Sequence, residues 1–218
     1  MLAGLSFRVR ELWTDAKAVA AAEFAIVLPF MLLLYLGGVE LGNGLAINVK
    51  VSETSHSVAD MISQNTQVSA TQMQAILGAA TAIMAPYPIR DSNGSLITVT
   101  VSEVSTDSNG NATVQWSQST GSAARPVGQR MTLSAFTSNT TPTNANISLI
   151  LGEVSYNYKP SLGSGVVGNV TLSDSYYLFP RCSTNGPTTS SFPYYDVKYS
   201  NTSTTTCTCI QHVQQKIC

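Results

Sequence analysis

The sequence predicts an α+β fold: a long N-terminal helix that includes one transmembrane span, a second helix, then an antiparallel β-sheet domain ending in a cysteine-bearing tail. Three observations predict it. Residues 18–38, AVAAAEFAIVLPFMLLLYLGG, carry one charge, Glu23; at about 1.5 Å per residue they make roughly 30 Å of helix, the thickness of a bilayer's hydrocarbon core. Met73, Ile76, Leu77, Ala80, Ile83 and Met84 recur at helical spacing. From residue 96 onward, apolar and polar residues alternate in runs separated by turn-forming residues. Helices followed by strands are the order of an α+β layout, with the helix layer on one face of the sheet.

The N-terminal helix is apolar on every side over its first part, which suits lipid rather than a half-wet surface. Residues 1–17 hold Arg8, Arg10 and Lys17, against Lys50 alone close to the other flank. Basic residues mark the cytoplasmic end of a span, so the N-terminus is expected inside. A signal peptide cleaved after Ala46 is the rival reading. Against it, the apolar run is longer than an ordinary signal core and contains Glu23 and Pro29. Pro29 removes one backbone hydrogen bond, which membrane helices tolerate. Glu23 has two readings of equal weight: a carboxylate at the cytoplasmic boundary, or one that meets a cation of another subunit.

No proline or glycine interrupts residues 45–64, so the helix is expected to continue to about residue 65. Ser69 and Gln72 form a capping box for the second helix, which Pro86 and Pro88 end. Residues 96–104 and 112–118 read as a hairpin around TDSNGN. Residues 119–146 are polar, with a short helix or strand expected near Met131–Phe136. Residues 147–160 and 170–180 read as the remaining strands. The expected organisation is a cytoplasmic leader (1–17), a transmembrane helix (18–44), an extracytoplasmic α+β domain (45–181) and a C-terminal tail (182–218).

Charged residues make up 11% of the chain and the net charge is −1. That is well below the roughly 25% charge of an ordinary soluble domain. With no basic patch beyond the span, nucleic acid is excluded as a partner. All four cysteines, Cys182, Cys207, Cys209 and Cys218, lie in the tail. An even number beyond a membrane span favours disulfides in an oxidising compartment, with three pairings open. A metal site from Cys207, Cys209, His212 and Cys218 is the weaker alternative, because one residue between paired cysteines is tighter than zinc sites use. His56, between Ser55 and Ser57, reads as a solvated helix residue. No nucleophile–base spacing, phosphate loop or cofactor motif is present, so an enzyme is not expected and no cofactor is assigned.

The segment Glu23-Phe24-Ala25, Ile26 to Leu28, Pro29, a leucine-rich stretch, then Gly37 to Gly42 resembles the N-terminus of TadE-like proteins, pilin-related components of bacterial tight-adherence (Tad, Flp-type) pilus systems. Glu153-Val154-Ser155-Tyr156-Asn157-Tyr158-Lys159-Pro160 and Tyr176-Tyr177-Leu178-Phe179-Pro180-Arg181 are similar to later strands of the same family. The tail beyond Arg181 lies outside the resemblance. The resemblance implies a pilin-like fold and a minor pseudopilin or pilus assembly factor. Its implied partners are the lipid bilayer, other pilin-like subunits, the Tad assembly machinery and a prepilin peptidase. It implies placement in a bacterial inner membrane, with the outer domain in the periplasm or carried into a surface pilus. It further implies peptidase cleavage at Ala18-Val19, where the family prefers Gly before the cut. Val19 would then be the new N-terminus, with Glu23, Phe24 and Pro29 acting in assembly inside the membrane. The alternative from another class is a single-span anchored binding module unrelated to pili; a cell-envelope hydrolase ranks last.

Overall fold

Helix α1 runs from Ala16 to Ser63 and helix α2 from Ala70 to Ile83. The computed structural model describes residues 16–106, 111–121, 124–133, 147–160, 168–183, 197–199, 208–211 and 214–217. The chain divides into two units, one of residues 1–45 with 160–168 and one of residues 46–159 with 169–218. In the first, every residue from Val19 to Val39 is exposed. In the second, α1 buries a stripe: Ile47, Val51, Val58, Ala59 and Ile62, with Thr54 and Ser55 between them. The steps of three and four residues are one face of a helix.

The predicted capping box starts α2. Ser69 Oγ accepts from the Gln72 backbone N–H at 3.3 Å, and the Gln72 side chain accepts from the Ser69 N–H at 2.9 Å. Two backbone donors that lack helical partners are thereby satisfied. Met73, Leu77 and Ala80 are the buried face of α2, and Met84 at its C-cap is also fully buried.

The strands of the main sheet are β1 (Ile97–Thr106), β2 (Ala112–Ser119), β3 (Arg130–Met131), β4 (Ser148–Tyr158) and β5 (Val170–Leu178). Their order is β3-β2-β1-β4-β5, antiparallel throughout. Of the short helix or strand expected near Met131–Phe136, Met131 lies in the two-residue strand β3; residues 134–136 of that expectation lie outside the described residues, as does most of the TDSNGN turn. Two-residue strands add a hairpin of Arg90–Asp91 with Gly94–Ser95, and a parallel pair of Gln67–Val68 with Lys198–Tyr199. Gly94, at the hairpin, has φ +131°, a region that L side chains rarely adopt.

Register divides the residues of the sheet between two faces. Ile97, Val99 and Val101 of β1 and Ile150, Val154 and Tyr156 of β4 join the helices in one core. Fully burying each of the larger side chains is worth about 1.5–3 kcal/mol relative to exposure. On the opposite face, Val104, Ala112, Val114, Leu133, Leu149 and Leu151 form a second, smaller cluster. A bulge makes this division possible. Glu103 pairs with Trp116 but Val104 pairs with Val114, leaving Gln115 as the extra residue. Without it, Val114 and Trp116 would share a face; with it, Trp116 belongs to the helix-side core and Val114 to the other.

Cys182–Ser183, Thr208–Gln211 and Gln214–Ile217 form an antiparallel three-stranded sheet in which Cys182 and Cys209 are register partners. Cys207, Cys218 and His212 lie outside the described residues.

Candidate functional site

The sequence-predicted assembly residues all lie on the exposed, apolar part of α1. Phe24 is 59% exposed, and Phe30, Leu33, Leu34 and Tyr35 are exposed around it in every direction. In water this surface would be strongly unfavourable, since each Å² of apolar area left wet forgoes about 25 cal/mol. The helix is long and apolar enough to cross a membrane and fits a single-pass anchor. Glu23 is exposed one residue before Phe24. Four and seven residues on, Val27 and Phe30 continue its helix face. Pro29 sits inside the helix, so the Ala25 carbonyl receives no N–H from position 29. The Ala18-Val19 bond lies within α1, in its first turn, and Val19 is 41% exposed. Residues 1–15, which carry the expected basic leader, lie outside the described residues.

The buried part of α1 crosses the sheet at one close approach. A Cβ on Gly152 of β4 would meet the Ser55 carbonyl oxygen at 2.5 Å and the Val58 and Ala59 side chains at 3.2 and 3.3 Å. Beside it, Ser55 Oγ donates to Asp174 Oδ2 at 3.1 Å. Burial pushes the Asp174 carboxyl up, but hydrogen bonds from Ser52, the Ser175 backbone and Ser55, with the nearby His56, hold it below the usual carboxylate value. His56 is exposed, as its sequence context predicts, and also stacks on Tyr176 with ring centroids 3.7 Å apart. The C-terminal end of α1 is closed by Arg181, three residues beyond the end of β5. The Arg181 backbone N–H donates to the Ser63 carbonyl at 2.8 Å and the Arg181 guanidinium pairs with Asp60. This gives the Pro-Arg ending of the last strand a local role in satisfying helix-terminal carbonyls.

The face of the sheet away from the helices carries a shallow, hydroxyl-lined groove of about 560 Å³. Thr98, Ser155 and Ser173 form one cross-strand row; Thr100, Glu153 and Ser175 form the next. Arg125 closes it with a bidentate pair to Glu153, at 2.7 Å from Nε and 2.6 Å from the terminal nitrogen. The hydrogen bond to Glu153 raises the Arg125 pKa further. On the same face, burial and the Glu153 charge raise the phenol of Tyr177. Sequence reasoning did not single out Arg125, and placed Glu153 only in a family-like strand, without a site role. The available signal was one acid inside an otherwise uncharged strand, Gly152-Glu153-Val154, set opposite Thr100 by register. Among the described residues no group of three or more His, Cys, Asp or Glu is placed to hold a metal ion.

The segment that carries the span, Glu23, Pro29 and the buried stripe as far as Ala59 is the one that has a family match. Residues 18–60 match the family model of the TadE-like proteins. This part of the chain is TadE-like, in agreement with the resemblance drawn from Glu23-Phe24-Ala25 and Pro29. The TadE-like segment ends at Asp60, the residue that Arg181 pairs with, and the β-sheet lies beyond it. No curated protein and no solved structure matches the chain. A TadE-like segment points to involvement in a Tad pilus system.

Proposed function

We propose that this chain is a non-enzymatic, membrane-anchored component of a bacterial tight-adherence pilus system, acting as a minor pseudopilin or as a pilus assembly factor. The observation that carries the reading is the TadE-like helix: apolar and exposed on all sides, with Glu23 near its start and Pro29 six residues on. Such a surface has two stable surroundings, lipid and other apolar helices. In this reading the N-terminus is cytoplasmic, the sheet domain periplasmic, and the span packs with other pilin-like spans. Glu23 sets the register of that packing. If a prepilin peptidase cuts Ala18-Val19, the Glu23 carboxylate meets the new amine of a neighbouring subunit. The tail cysteines form disulfides in the oxidising periplasm.

Glu23→Gln tests the role of the carboxylate. The variant is expected to insert into membranes as the parent does, with piliation reduced at least tenfold by electron microscopy; full piliation would remove Glu23 from the mechanism. Sequencing the mature N-terminus distinguishes the routes: Val19 for pilin processing, Ile47 for a signal peptide, Met1 for a simple anchor. The hydroxyl-lined groove with its Arg125–Glu153 pair favours a second reading, a membrane-anchored binding module that presents this face to a polar ligand.

A further inference from the structure

Residues 197–199 lie far along the chain from everything they touch. Val197 is fully buried. Its carbonyl accepts from Trp116 Nε1 at 2.6 Å, and its N–H donates to Glu103 Oε1 at 3.4 Å. Glu103 and Trp116 are direct cross-strand partners on β1 and β2. One pair of neighbouring side chains therefore holds both backbone polar groups of a single residue. The next two residues extend the attachment: Lys198 and Tyr199 pair in parallel with Gln67 and Val68, and the Tyr199 ring lies 5.8 Å from Trp116. Glu103 is 1% exposed and also accepts from Ser148 Oγ at 2.8 Å. A carboxylate buried this deeply is unfavourable without donors. Here one donor is the Val197 backbone N–H.

Holding an extended backbone by its N–H and C=O, with one side chain in an apolar hole, is how sheet edges and grooves recognise peptides. We propose that Glu103, Trp116 and Val68 form a peptide-recognition slot. In dilute protein it is filled by the chain's own residues 197–199; between packed copies, the segment of one chain seats in the slot of a second. The seating is small, one buried valine and a two-residue strand pair, so the tether governs which occupant wins. The shorter arm, Tyr199 to Thr208, spans on the order of 30 Å when extended. Residues 200–206 are Ser, Thr and Asn only. A short tether gives an effective concentration of about 1 mM, so a neighbour packed at similar density competes equally. The slot stands apart from the pilus reading, which supplies one setting where copies are packed.

The test needs no pilus. Tyr199 is replaced in the full chain by the photoreactive p-benzoylphenylalanine, and equal amounts of isotopically heavy and light protein are mixed in detergent micelles. The samples are irradiated and the cross-linked peptides weighed. Cross-links are expected to Gln67–Val68 and to the Trp116 strand. Heavy–light pairs should rise from about 0.5% of these at 10 µM protein to about a quarter near 1 mM. Heavy–light pairs that stay at about 0.5% across that range would overturn exchange. Val197→Pro removes the N–H given to Glu103 and is expected to abolish slot cross-links of both kinds, with cooperative melting of the sheet retained. Unchanged cross-links in that variant would overturn the slot itself.

Discussion

The two stretches of α1 share one helix and obey different physics. From Val19 to Val39 the residues are exposed all round and almost all apolar. From Ile47 to Ile62 the sequence is mixed, and only a stripe is buried, with polar residues such as Glu53 exposed. A helix apolar on all sides has no preferred face, and only a solvent that is itself apolar suits it. A helix with a stripe needs one specific partner, and here β4 supplies it through Gly152. The lesson is that the periodicity of apolar residues, more than their number, separates a segment that binds a medium from one that binds a surface.

Paired substitutions in the two stretches test this contrast. Ile62→Ala is expected to cost the sheet domain about 3 kcal/mol, because it empties a fully buried site. Leu33→Ala, in the exposed stretch, should leave domain unfolding unchanged and weaken membrane insertion by about 0.5 kcal/mol. Denaturant titration in micelles, with an insertion assay beside it, measures both. Equal losses of domain stability would erase the distinction. The next contrast is between glycines. Gly152→Ala drives a methyl group into the Ser55 carbonyl and should cost about 2 kcal/mol. A Cβ at Gly37 meets nothing within 4 Å, so Gly37→Ala should leave unfolding unaltered. If Gly37→Ala lowers span–span cross-linking, that glycine faces another helix, as small residues do in membrane interfaces.

The smallest expected effect concerns Asp174, whose carboxyl is held below its ordinary value by the Ser52 and Ser55 hydroxyls and the Ser175 backbone. A depressed folded-state value stabilises the fold above the unfolded value of about 3.9. That contribution is lost as pH falls from there through the folded value. Asp174→Asn should therefore lower stability at pH 7, where the charged acceptor contributes in full, and flatten the acid limb of a stability–pH profile below about pH 4, so that variant and parent converge as pH falls. A parallel shift of the whole profile would show that Asp174 acts by packing alone.

Much of this architecture is legible residue by residue. Glu23 and Pro29 inside an apolar run mark the TadE-like span, Ser69 and Gln72 start α2 where the capping box predicts, and the alternation in residues 96–104 and 147–160 marks two central strands. Those signals are local: length against bilayer thickness, a side chain reaching a backbone three residues away, a period of two. The Gln115 bulge, the Gly152 approach, the Arg125–Glu153 pair and the Val197 slot were not legible in that way.

By itself, the sequence determined the two helices and the four long strands of the main sheet, where the membrane-compatible stretch begins, and the TadE-like character of residues 18–60. Local geometry and hydrophobic period specify those properties within a few turns or one strand. Only the tertiary structure decided which residues meet across long separations. Trp116 faces the helices because one extra residue turns the strand over. Arg181 caps a helix that ended at Ser63, and Val197 fills a hole prepared by Glu103 and Trp116. The physical reason is that such contacts depend on register and on close approach between distant elements. A one-residue slip in a strand exchanges every inward side chain for an outward one.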